Sequence, residues 1–121
     1  MTPPPSDLPI ILKIRLLHKN IYTVGEKLNK RDKLGIHKEI DNLCIQCLAL
    51  AIEAKFCPPQ TKNIPLETLR IKISVLKNLI RTESELNIIN EKIYLRLAEQ
   101  AVEISKMTSG WLSSLTQKGL W

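Results

Sequence analysis

The constraint that decides most about this chain is a conflict between rhythm and punctuation. Apolar residues recur at steps of three and four almost throughout, and prolines interrupt that rhythm at Pro58, Pro59 and Pro65. A step of three or four keeps side chains on one face of an α-helix, whereas a strand would need a step of two. Two successive prolines cannot continue a helix, because each lacks an N–H and its ring crowds the preceding turn. The first predicted helix runs from about Leu8 to Leu28, with Leu17, Ile21, Val24 and Leu28 as its buried stripe. The second is expected from Asp32, as N-cap, to Phe56 through Ile36, Ile40, Leu43, Cys47, Leu50 and Ala54. The third starts at Pro65, acceptable in a first turn, and reaches Glu85 through Leu69, Ile73, Leu76 and Ile80. The fourth is capped by Asn90, favoured by Glu91 at its positive end, and runs to about Gln117 through Ile93, Leu97, Ala101, Ile104, Trp111 and Leu115. Four helices joined mostly by short turns predict an all-α, up-and-down antiparallel four-helix bundle.

At 121 residues the chain can bury one core and not two. We expect the bundle over residues 8–118, a flexible Pro-rich tail over 1–7 and a short C-terminal tail over 119–121. With 44% hydrophobic and 25% charged residues the composition is globular. No apolar run is long enough to span a bilayer, and Lys13 and Arg15 interrupt the apolar stretch near the N-terminus in the wrong order for a secretory signal. Three cysteines, two of them inside a helical pattern, fit a reducing compartment, so a cytoplasmic protein is expected. Cys44 and Cys47 make a CxxC without a second pair or a flanking His, and read as small buried hydrophobes.

His18 and His37 stand apart, and no HExxH, phosphate loop or nucleophile elbow is present. We expect no catalytic residue, no metal and no cofactor. The formal charge of +6 directs attention to polyanions, against the plainer reading of a charged, solubilising surface. Residues 1–38 hold eight Lys/Arg against three acids, whereas residues 39–57 hold one Lys against three acids. In the third helix Arg70, Lys77 and Arg81 fall at i, i+7 and i+11, within about 40° of one another, as one cationic line. Such a line can follow phosphates. Equally, it can lie along the edge of the core or pair with Glu67 and Glu85. Lys27, Lys30, Arg31 and Lys33 cluster around the first turn, where charge is most often plain solvated surface. The third helix also carries Ile71, Val75 and Leu79 opposite its core stripe, which suits a helix central in its bundle or bridging to another subunit. Near the C-terminus, Gly110 and Trp111 interrupt the helical pattern together, and a second Trp follows at Trp121.

Several segments, in order, carry a family resemblance: "RDKLG", "LALAIEAKF", "LKNLIRT", "LNIINEKIYLRL" and "EISKMTSGWLSSL". Together they cover roughly residues 10–116 and resemble the four-helix-bundle proteins of the Avd group. These are the accessory variability determinants of diversity-generating retroelements, and the group includes bundle proteins encoded in intervening sequences of bacterial 23S ribosomal RNA genes.

The resemblance implies a basic homopentamer that binds a reverse transcriptase and its template RNA in mutagenic reverse transcription; the basic charge alone leaves DNA or an RNA/DNA hybrid open as the alternative nucleic-acid partner. The family usually has an arginine pair where this chain has Lys77 and Arg81, so those two become the expected contacts to RNA or polymerase. Lysine keeps the charge at 77 and loses the bidentate fork. Pentamerisation would occupy Ile71, Val75 and Leu79. "SGWLSSL" becomes a packing element, with Gly110 allowing close helix approach and Trp111 filling volume at the bundle's end or a subunit interface. The ribosomal-RNA relatives imply an alternative, a structural bundle with no polymerase partner.

Overall fold

The computed structural model describes residues 7–117. They form α1 (Pro9–Gly25), a single short helix α2 (Lys30–Leu34), α3 (Ile36–Phe56), a 3-10 turn at Pro59–Thr61, α4 (Asn63–Glu85) and α5 (Glu91–Gln117). No strand occurs among the described residues, and the four long helices make the expected bundle. Each packs on two neighbours, in the cyclic order α1, α3, α4, α5 and back to α1. The three-and-four rhythm of isoleucine and leucine supplies the core: Ile14, Leu17, Ile21, Ile40, Leu69, Ile73, Leu76, Ile80, Leu97 and Ile104 have no exposed surface. Each such side chain contributes about 1.5–3 kcal/mol on burial.

Helix starts and stops follow local chemistry, and in one place not the expected one. A continuous helix capped by Asp32 is not formed. Asn29 takes the cap, its Oδ1 accepting from the Asp32 N–H at 2.9 Å, so Asp32 lies in the first turn of α2. Gly35, at φ −93° and ψ −113°, then separates α2 from α3. A Cβ there would lie 2.9 Å from the Arg31 carbonyl oxygen, so the tight break requires glycine. The stripe of α3 is also rotated: its buried line is His37, Ile40, Cys44, Cys47, Ala51 and Ala54, with Ile36, Leu43 and Leu50 half-buried beside it.

The C-terminal end of α3 stops at the prolines, as its sequence predicts, and Lys62 donates to the freed carbonyls of Ala54 at 2.7 Å and Lys55 at 3.1 Å. α4 begins two residues before Pro65; the third helical position still lacks an intrahelical N–H partner, so proline fits there equally well. It ends through Asn87 at φ 60°, a left-handed conformation that asparagine tolerates, while Ile88 N–H bonds back to Glu83 O at 2.8 Å. Asn90 caps α5 as expected, accepting from Ile93 N–H at 2.8 Å. The stripe of α5 includes two residues that the sequence reading passed over, Thr108 and Leu112. The hydroxyl of Thr108 donates to Ile104 O at 2.9 Å and so can be buried.

No described helix is long and apolar enough to cross a membrane. The tails at residues 1–6 and 118–121, with Trp121, lie outside the described residues.

Candidate nucleic-acid interface

The antiparallel order brings the end of α1, α2, the start of α3, the end of α4 and the start of α5 to one end of the bundle. α4 lays Lys77 and Arg81 one turn apart on its flank toward α5, where they line a cleft of about 240 Å³ with Asn78, Tyr94, Ala98 and Val102. Arg70 lies two turns earlier on the same line and opens on the adjoining groove, which shares Asn78 and includes Ile71, Ser74, Val75 and Ser105. The cationic line is therefore present as a continuous flank of α4.

Its members are not equally free. Arg70 forms an ion pair with Glu67, and Arg81 lies 3.6 Å from Glu85, the two pairings anticipated from the spacing. All four side chains are substantially exposed, and exposed pairs of this kind contribute only about 0–1 kcal/mol, so a phosphate can replace the carboxylate. Lys77 is half-buried and has no ion-pair partner among the described residues.

The Lys27, Lys30, Arg31 and Lys33 group is exposed at the loop end of the bundle. Arg31 is almost fully solvated, 3.9 Å from Asp32. Lys27 lines a cleft with Asn87, Ile88, Asn90 and Arg96, while Lys33 opens on another beside Tyr22, Leu34 and His37. Neither of these two clefts is lined by Lys77 or Arg81. Of this cluster, Lys27 shares its cleft with Arg96, a cation that sequence reasoning missed.

Ile71 is 62% exposed and Val75 44%, with Leu79 half-buried, so the second apolar face of α4 is left uncovered within one chain. The close helix approach expected at Gly110 is absent within the chain: a Cβ there would meet nothing within 4 Å. Its neighbour Trp111 is half-buried against the core at the far end of the bundle, with Lys62 Nζ 6.0 Å from its ring centroid.

The largest omission of the sequence reading is a buried charge pair. Glu83 is fully buried, and its Oε2 lies 2.7 Å from His37 Nδ1, while His37 Nε2 lies 2.7 Å from the Ile21 carbonyl oxygen. Burial pulls the His37 pKa down. The Glu83 hydrogen bond, the Ile21 carbonyl and the charges of Glu83 and Asp41 push it up and win, leaving it above 6.5. Geometry agrees, since only a doubly protonated imidazole can donate to both acceptors. The pair ties α1, α3 and α4 together directly beneath the basic loop. The signal was available: Glu83 continues the Ile73, Leu76, Ile80 spacing, and His37 precedes Ile40 on the α3 stripe.

Burial raises the Cys44 and Cys47 thiols to about 12, so both are uncharged near neutral pH and behave as apolar core atoms. No group of three His, Cys, Asp or Glu among the described residues is placed to hold a metal. No protein-family model matches the chain, and no curated protein matches it.

Proposed function

We propose that this protein is a non-catalytic, basic accessory protein of a diversity-generating retroelement, which binds a reverse transcriptase and its template RNA as a cytoplasmic homopentamer. The observation that carries the reading is the flank of α4, where Lys77 and Arg81 line one cleft, Arg70 extends the line, and an uncovered apolar face follows next to it. The segments resembling the Avd group supply the retroelement part of the reading. Cations held on a rigid helix keep a fixed spacing, which suits holding a phosphate backbone against a polymerase better than a mobile tail would. The chain has few aromatic residues, 4% in all, so recognition rests on backbone and shape rather than on stacking with single-stranded bases.

In this reading Lys77 and Arg81 make the main contacts, and Arg70 and the residue 27–33 cluster support them. The test is Lys77→Ala combined with Arg81→Ala, measured against template RNA and reverse transcriptase across a salt series. Loss of two phosphate contacts should weaken RNA binding and reduce the slope of log affinity against log salt by about 1–2 per chain, with helical content and assembly unchanged. Unchanged binding of both partners at every salt concentration would refute this assignment.

A further inference from the structure

At the end of the bundle opposite the basic loop, the start of α1, the end of α3, the start of α4 and the end of α5 enclose a cleft of about 450 Å³. Its walls are mainly apolar, from Leu8, Ile10, Met107 and Trp111, and Lys55 and Lys62 are the charged residues that line it. A concave apolar pocket of this size with a few polar groups has the general form of a small-molecule site.

The two lysines differ in a way that defines the ligand. Lys55 Nζ lies 3.1 Å from Asp7 Oδ1, so its charge is already compensated. Lys62 Nζ is held instead by two neutral groups, the carbonyls of Ala54 and Lys55, and no carboxylate pairs with it among the described residues. These bonds fix the ammonium 6.0 Å from the Trp111 ring centroid, and an ammonium has a third N–H to give. One positioned positive charge without a carboxylate partner among the described residues, set beside an apolar wall, selects an amphiphile with one negative head.

We propose that this cleft binds a free medium-chain monocarboxylate, its carboxylate on Lys62 and its hydrocarbon chain along Ile10, Met107 and the Trp111 indole. The cleft is separate from the α4 flank and uses none of its residues. A neutral or cationic amphiphile has the same apolar contacts and lacks the charge-assisted bond, so the head decides.

The test uses the full chain carrying Trp121→Phe, in which Trp111 is the sole indole fluorophore. Titration with monomeric decanoate should change Trp111 emission saturably, and decyltrimethylammonium should not. Lys62→Met should weaken decanoate binding by about tenfold or more. Because Lys62 also bonds the end of α3, folding of that variant is followed by circular dichroism. Met107→Glu, which leaves those bonds intact and places a negative charge in the cleft, should abolish the response independently. No saturable response, an equal response to the cation, or decanoate binding indifferent to Met107→Glu would overturn the proposal. So would a response to anionic vesicles without one to free decanoate.

Discussion

His37 sits between two acceptors that only its protonated form can satisfy together, and this makes one residue a pH-dependent part of the fold. Its folded pKa lies above the ordinary value, so its contribution to stability is complete below about pH 6.5 and is lost as pH rises through the folded value. Burial increases what is at stake, because Glu83 Oε1 has no hydrogen-bond partner among the described residues and Glu83 relies on the imidazolium. Removing one partner leaves the other charge buried alone. His37→Gln should therefore destabilise by about 3–5 kcal/mol, and denaturant melts should lose the part of the alkaline decline that the parent shows. A variant that declines with pH as steeply as the parent would show that the titrating group is elsewhere. Gly25 belongs to the same arrangement: a Cβ at that position would lie 2.8 Å from His37 Cδ2, so only glycine lets α1 pass the ring.

At the scale of the helix, the sequence was most legible where period and punctuation agreed. The core stripe of α4, the stop at Pro58 and the Asn90 cap all follow from local rules that no distant contact contradicts. Replacing Asn90 with Ala should lower stability by about 1 kcal/mol in denaturant unfolding, since the Ile93 N–H loses its acceptor. A change within error would mean that water replaces the cap without loss. Legibility failed where two local signals competed. Asn29 and Asp32 are both competent caps three residues apart, and Gly35 decides between them by making a break that propensity alone does not locate. On α3, short side chains at Cys44, Cys47, Ala51 and Ala54 form the buried line while the larger Leu43 and Leu50 flank it, so weighting by hydrophobicity turned the stripe by part of a turn. The candidate site divides similarly. Periodicity placed Lys77 and Arg81 together, but a helical spacing within α4 carries no information on which α5 residues would complete the cleft, or that Lys27 would face Arg96.

For the whole molecule, the uncovered side of α4 is the feature that a single chain leaves unaccounted for. Ile64 is 63% exposed, Ile71 62% and Val75 44%, and a step of about 100° per residue sets all three on one side of the helix. On α5, Leu95 and Val102 are also exposed, and Val102 lines the cleft that holds Lys77 and Arg81. An apolar strip of this kind, rimmed by Arg70 and Arg81, has the composition of a subunit contact. If copies assemble through it, every interface repeats the Lys77 and Arg81 pair nearby, and one RNA can engage several pairs at once with affinity beyond that of a single chain. Ile71→Gln with Val75→Gln separates assembly from charge, because it removes the apolar strip and adds no carboxylate to the groove that Arg70 lines. Both positions are exposed, so the fold should change in stability by about 0.5 kcal/mol or less per site. Mass measured in solution should fall to that of one chain. RNA affinity and its salt slope should fall with it, although Lys77 and Arg81 remain, because fewer phosphates are then neutralised per complex. An assembled double variant, or a parent that is already a single chain, would move the interface elsewhere or remove it. A single-chain variant that keeps the parent's RNA affinity would show that one copy of the α4 flank is sufficient.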